Sequence, residues 1–324
     1  MGVNLRDLTI RHEINLSKLT GKKIAIDAYN IIFQFLSSIR QRDGTPLMDS
    51  EGNITSHLSG LFYRTSKILE QGIKPCFVFD GRPPEEKRET VEARKKIREE
   101  AREKYEAAKA AGRLAEARKY AQQTSKLTKE MVSESKELIS AMGLPWIQAI
   151  ADGEAQAAYM ANKGQVWAVV SQDYDTLLFG TPRLIRNFSM SKNQPLEMID
   201  LSETLNFLAI DINAFIKIAI LVGTDYNPKG YKGIGPKTAL KIVRRGDFQE
   251  YADKISNWRR IQKIFTKPPI TIDYTLNWTE PNEEKLRKIL IERHEFSAKR
   301  VNNALKRILK GESKRNQKGL GDYL

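Results

Sequence analysis

Cysteine is almost missing from this chain. A single Cys76 among 324 residues excludes an internal disulfide and fits a reducing interior. Histidine is nearly as scarce: His12, His57 and His294 are widely scattered, so a zinc site built on His and Cys is a poor fit. Long apolar runs are missing too. The best one, FIKIAILVG, is short and carries Lys217, so no bilayer-spanning helix is expected. The start MGVNLRDLTIRHE is charged from Arg6 onward, which argues against a signal peptide. Arg6 also stands where a myristoylation signal wants Ser or Thr. The expectation is an intracellular protein with no membrane partner.

Basic charge, in contrast, is abundant. Lys and Arg number 54 against 40 Asp and Glu, a surplus of +14 with a pI near 9.6. Such a surplus points to a polyanionic partner, most often nucleic acid or anionic membrane, and the missing membrane signals leave nucleic acid as the better fit. Hydrophobic residues make up 40% of the chain, enough for a globular core. With thiol and imidazole scarce, the only abundant hard ligand is carboxylate, which selects Mg²⁺, Mn²⁺ or Ca²⁺.

The carboxylates are placed in a pattern. KKIAID (22–27) reads as a strand ending in Asp27, and KPCFVFD (74–80) as one ending in Asp80. LPWIQAI (144–150) runs into ADGE, with Asp152 and Glu154. QVWAVVSQD (165–173) ends in Asp173, and Asp175 follows in VVSQDYDTLLFG. Helical patterns lie between these runs, at NITSHLSGLFYRTSKILEQG, LTKEMVSESKELISAMG and DGEAQAAYMANKG. Alternating strands and helices predict a mainly parallel sheet with helices on both faces. Parallel strands share one C-terminal edge, where open α/β sheets bind ligands. Taken singly, Asp173 and Asp175 fit an exposed turn, and Asp152 fits a helix N-cap. Four strands all ending in acid would instead gather mutually repelling charges, which a divalent cation resolves. Asp225, in the turn after the amphipathic stretch DINAFIKIAILVG, joins the set.

Two further regions are basic. Residues 82–131 hold 15 Lys and Arg with 10 Glu and few large apolar side chains. The composition predicts an Ala-, Glu- and Lys-rich helical insertion with no deeply buried face, standing over the acidic edge because it begins directly after Asp80. GYKGIGPKTALKIVRRG (230–246) matches the hairpin of helix–hairpin–helix modules within a region of about 216–246. Gly233 and Gly235 would offer backbone amides to phosphate, and Lys232, Lys237, Lys241, Arg244 and Arg245 add charge. The C-terminal stretch reads as two amphipathic helices, and residues 311–324 as a flexible polar tail adding little to the fold.

These segments together resemble the flap structure-specific 5′ endonucleases in their archaeal form. IDAYNIIFQFL, TSHLSGLFYRT, KPCFVFDGRPPEEK, DGEAQAAYMA, SQDYDTLLFG, LVGTDYNPKGYKGIGPKTAL and WTEPNEE carry the resemblance, which covers essentially the whole chain. It implies an enzyme of DNA replication and repair that hydrolyses a phosphodiester of branched DNA near the single-strand/duplex junction, with an associated 5′-to-3′ exonuclease activity. It implies two Mg²⁺ ions, replaceable by Mn²⁺, about 3.5–4 Å apart. Asp27, Asp80, Asp152 and Glu154 would form one cluster, and Asp173, Asp175 and Asp225 the other. Lys87 and Arg94 match basic residues that reach from an arch onto the scissile phosphate. Gly2 matches a glycine near the site, and Phe33 an aromatic that stacks on a base. The hairpin would hold downstream duplex, with a bound K⁺. QKGLGDYL fits a sliding-clamp-binding pattern through Gln317, Leu320 and Tyr323. Residues 1–310 would form one nuclease domain, working as a monomer. Two positions depart from the family pattern: Asp152 replaces Glu, shortening its reach by one methylene, and Leu324 replaces a second aromatic.

Other readings compete. DYDTL approximates the D-x-D-x-T/V signature of haloacid-dehalogenase-type phosphatases, but Leu177 fills the Thr/Val place and the basic insertion is left unexplained. A non-catalytic DNA scaffold would leave seven gathered acids without a purpose. A relative cutting bubbles or DNA ends is disfavoured by the compact insertion between Asp80 and Asp152.

Overall fold

A computed structural model describes residues 2–188 and 195–317. Among the described residues seven strands form one sheet: β1 (His12–Ile14), β2 (Lys23–Asp27), β3 (Lys74–Phe79), β4 (Trp146–Gln148), β5 (Ala168–Val170), β6 (Arg183–Arg186) and β7 (Leu196–Asp200). Their order is β1-β7-β6-β5-β2-β3-β4. The run from β4 to β6 is parallel, and β7 and β1 add antiparallel strands at one edge. The architecture is the expected α/β one. The four expected strands are β2 to β5; β1, β6 and β7 were not anticipated. They carry little pattern, since β1 buries only Ile14 and β6 only Leu184 and Ile185.

The topology creates the site. β2 is central, with Ala25 opposite Cys76 of β3 on one side and Val169 of β5 on the other. The chain leaves β2 toward β3 and β4, then returns to place β5 on the other flank. Strand order therefore reverses between β2 and β5, and such a reversal opens a crevice at the C-terminal ends of the strands. Asp27 ends β2 and Asp173 follows β5, so both stand at that crevice.

Helices cover both faces. One core joins Ile24, Ile26 and Phe77 to the helices Ala28–Ser38, Ser56–Glu70, Lys129–Ala141 and Ala298–Gln317. On the opposite face Ala25, Cys76 and Val169 pack with the helix Gly153–Asn162. A further cluster centres on the helix Ile212–Val222, N-capped by the Asp211 side chain. No single helix among the described residues is long and apolar enough to cross a membrane.

The insertion is a helical hairpin, Arg88–Ala110 and Leu114–Ala121, turning at Gly112, where φ is +70°. The expectation that none of its faces is deeply buried needs correction. Ala101, Ala108, Ala117 and Ala121 are all at most 3% exposed. Small side chains let the two helices approach closely, so burial here needs no large apolar residue; Val91, Ile97 and Leu114 stay exposed.

The terminal helix Ala298–Gln317 also runs past the boundary expected at 311. A Cβ on Gly311 would come within 1.8 Å of the Leu69 carbonyl oxygen, so the folded body extends at least to Gly311. Leu320, Tyr323 and the Gln317 side chain lie outside the described residues.

Candidate active site

The acidic side chains are delivered by the ends of β2, β3 and β5, by the start of the helix Gly153–Asn162 and by the turn after the helix Ile212–Val222. Asp27 ends β2 and caps the following helix, Oδ1 accepting from the Asn30 N–H at 3.0 Å. Asp80 follows β3 and accepts from the Gly153 N–H at 2.6 Å. A Cβ on Gly153 would stand 2.8 Å from that Asp80 oxygen, so glycine permits the approach. Glu154 lies in the first turn of Gly153–Asn162 and accepts from Ser171 Oγ at 2.9 Å and Thr176 Oγ1 at 3.0 Å. Asp173 accepts from the Gly2 N–H and from Asn30 Nδ2, each at 3.3 Å. Asp175 accepts from the Val3 N–H at 2.7 Å. The N-terminal segment is thus pinned to the site, and a Cβ on Gly2 would sit 3.0 Å from Asp175 Oδ1.

Asp152 occupies the N-cap position of Gly153–Asn162 but makes no capping bond. The capping reading of this side chain is therefore set aside. Its oxygens go elsewhere: Oδ1 accepts from Lys87 Nζ and Oδ2 from the Tyr226 hydroxyl. Asp225, after the helix Ile212–Val222, meets Arg94 Nη2 at 2.5 Å, and its carbonyl accepts from Thr90 Oγ1 at 2.7 Å. The arch base therefore places one cation on each of the two expected clusters, Lys87 on Asp152 and Arg94 on Asp225.

Mutual repulsion links the seven carboxylates pair by pair. Burial, then the nearby Asp80, raises the proton affinity of Asp27 well above the ordinary range. Burial, then Asp173 and Asp27, does the same to Glu154. Burial also raises Asp80, with Asp152 adding to it and Lys87 opposing. Burial and then Asp225 push Asp175 up to about 7. Burial disfavours the Lys87 charge, yet Asp152, with Glu154 and Asp80 behind it, holds the ammonium protonated beyond its ordinary range. A positive group is thus strongly favoured at the centre of the pocket.

The donor set is oxygen only, which suits a hard divalent cation. Among the described residues no three His, Cys, Asp or Glu side chains stand as a ready-made metal cage. The carboxylates are held by protein donors instead, Asp152 by Lys87 and Asp225 by Arg94.

The other expected residues are more dispersed. Phe33 is half-buried on Ala28–Ser38. Gly233 has φ +83°, whereas Gly235 is extended and precedes Pro236, the first residue of the helix Pro236–Arg245. A Cβ on either glycine would meet nothing within 4 Å. Lys237 and Lys241 are exposed on that helix. Arg244, counted among the charges of the hairpin, instead donates to the Leu208 carbonyl at 2.5 Å. Sequence reasoning missed Asn30, Thr90, Ser171, Thr176 and Tyr226. Tyr226 and Thr176 adjoin Asp225 and Asp175 in the chain; Asn30, Ser171 and Thr90 carry no comparable signal.

Comparison with known proteins agrees with this geometry. The family model of the XPG N-terminal domain matches residues 3–101, and that of the XPG I-region matches residues 143–225. Flap endonuclease 1 of Pyrococcus horikoshii is 53% identical, the match covering 96% of this chain and 94% of that protein. The structure of flap endonuclease-1 from Methanococcus jannaschii matches with a TM-score of 0.80 at 42% identity, covering 98% of this chain and all of that one. The catalytic core of Rad2 in complex with DNA substrate matches with a TM-score of 0.73 at 25% identity, over 95% of this chain and all of that one.

Proposed function

Because this chain belongs to the flap endonuclease 1 family, we propose that its acidic pocket holds two divalent cations and that the arch and hairpin set a branched DNA over them. The protein is a structure-specific flap endonuclease, a nuclease that hydrolyses DNA. The observation that supports the site assignment is the convergence of seven carboxylates under two arch cations. Asp27, Asp80, Asp152 and Glu154 would hold one ion, and Asp173, Asp175 and Asp225 the other. When bound, Mg²⁺ or Mn²⁺ would activate the attacking water and offset charge on the phosphate.

The chain's own residues do the rest. Lys87 and Arg94 exchange a carboxylate for the scissile phosphate and offset the charge that develops on it. The N-terminal Gly2 and Val3 amides orient Asp173 and Asp175. Phe33 stacks on a base beside the cleaved bond. Gly233, Gly235, Lys237 and Lys241 hold the downstream duplex by its backbone, with K⁺ at the turn. Residues 1–310 work as one nuclease body and as a monomer inside the cell. Gln317, Leu320 and Tyr323 dock on a sliding clamp. An associated 5′-to-3′ exonuclease activity follows from the same chemistry at a DNA end.

The test is an end-labelled 5′-flap DNA beside linear duplex and single strand, with and without Mg²⁺. Cleavage near the junction, dependent on Mg²⁺ and lost in Asp80→Ala and Asp173→Ala, is the expected result. Full activity in either variant, or cleavage with all divalent ions chelated, overturns the assignment.

A further inference from the structure

We propose that Tyr226 is a positioning residue, its hydroxyl setting the Asp152 carboxylate and its ring seating the Lys87 ammonium. The inference rests on the reading of Asp152 as a member of the metal-holding cluster. Three contacts converge on this one side chain and a fourth holds its backbone. The hydroxyl donates to Asp152 Oδ2. Lys87 Nζ, which donates to the other oxygen of the same carboxylate, stands 5.1 Å from the centroid of the ring. The ring meets Phe265 of the helix Trp258–Thr266 in an edge-to-face contact, with centroids 5.2 Å apart and planes at 80°. The Tyr226 N–H donates to Thr224 Oγ1 at 3.2 Å. The ring is 6% exposed.

Each contact limits a different freedom. The Thr224 bond holds the backbone, and the Phe265 contact limits where the ring lies. A fixed ring delivers its hydroxyl to one place, and there it meets Asp152. The other anchor of that carboxylate is Lys87, which belongs to the arch and must leave when phosphate arrives. Once it has left, Tyr226 alone holds the carboxylate plane, turning Oδ1 toward the space the ammonium vacates. A donor that orients a ligating carboxylate typically accounts for about 10–100-fold in metal affinity. The ring acts separately from the hydroxyl. A cation over an aromatic face is attracted by the ring quadrupole, so the ring adds a neutral seat for Lys87 beside the carboxylates that face it.

The two roles separate by substitution. Tyr226→Phe keeps the ring and removes the hydroxyl; Tyr226→Leu removes both. Mn²⁺ binding to the DNA-free protein is followed by electron paramagnetic resonance of the free ion. Tyr226→Phe should weaken Mn²⁺ binding about tenfold or more, and should raise the Mg²⁺ concentration for half-maximal single-turnover cleavage by a similar factor. Saturating Mg²⁺ should restore its rate. In Tyr226→Leu saturating Mg²⁺ should not, because Lys87 has lost its seat. Should the Leu variant fail to fold, the Phe variant alone decides the role of the hydroxyl. Asp80→Ala is the reference. If Asp80→Ala loses Mn²⁺ while Tyr226→Phe binds it as wild type does, the inference is overturned and the cluster stands, even if Tyr226→Phe melts earlier. If Asp80→Ala also binds Mn²⁺ normally, the cluster reading itself fails.

Discussion

Replacing Asp175 with Asn is expected to stabilise the metal-free protein at about pH 8 while ending cleavage. Asp175 is 4% exposed. Burial and the adjacent Asp225 raise its pKa from 3.8 to about 7. That is about three units at roughly 1.4 kcal/mol each, so keeping the group ionised costs the fold about 4 kcal/mol. The figure is a ceiling, because neighbouring carboxylates redistribute their protons when this one is neutralised. The sign follows from the direction of the shift. Below about pH 4 the group is protonated both folded and unfolded and carries no penalty. Between about pH 4 and 7 the unfolded chain loses the proton first, so stability falls as pH rises, and above about pH 7 the full penalty applies. Asn removes the charge but keeps an oxygen for the Val3 N–H, now accepting at 2.7 Å. Thermal unfolding in EDTA between about pH 5 and 8 is the assay. For a chain of this size about 1.5 °C accompanies each kcal/mol, so the variant should melt up to about 6 °C above wild type at the alkaline end. Its advantage should shrink toward about pH 5, and Mg²⁺ should close the gap by stabilising wild type alone. A variant melting at or below wild type at about pH 8, with an unchanged pH slope, refutes the reasoning.

Three other expectations follow. Gly235→Ala should leave the melting temperature unchanged, because its backbone is extended and the new Cβ meets nothing, yet should weaken duplex binding, because the open space is where a phosphate backbone approaches; Gly233→Ala should also lower stability, by about 1 kcal/mol, since its φ of +83° disfavours any Cβ. Binding titrations beside melting curves separate the two, and equal binding by Gly235→Ala removes the hairpin from DNA contact. Lys87→Ala should lower the single-turnover rate far more than flap affinity, since one phosphate contact is a small part of the DNA interface; a rate unchanged in both Lys87→Ala and Arg94→Ala takes the arch out of the chemistry. Deleting residues 316–324 should leave cleavage of a free flap intact and abolish stimulation by the cognate sliding clamp; stimulation that survives the deletion places the clamp contact elsewhere.

What was legible in the sequence follows from the range of each interaction. The ends of β2, β3 and β5 were visible because a buried parallel strand is a continuous apolar run; an acid directly after Ile26 or Phe79 interrupts it, and after Val170 the polar Ser171 and Gln172 lead to Asp173. β1, β6 and β7 were not, because a three- or four-residue strand at the antiparallel edge buries one or two side chains and leaves almost no period to read. The acids could be singled out from the sequence, whereas the partners that hold them could not. Gly153 reaches Asp80 across 73 positions and Thr90 reaches Asp225 across 135, and no local spacing announces such bonds.

The arch shows the same limit from the opposite side. Its charges were counted correctly, and a face without large apolar residues was taken as solvent-facing. Ala101, Ala108, Ala117 and Ala121 bury that face because two helices lined with methyl groups can come close together. Close packing makes the arch a rod rather than a solvated tether. Lys87 and Arg94 sit at one end of that rod, beside the turn that carries Thr90 to the Asp225 carbonyl. Their position over the acids is therefore set by helix packing as much as by charge attraction.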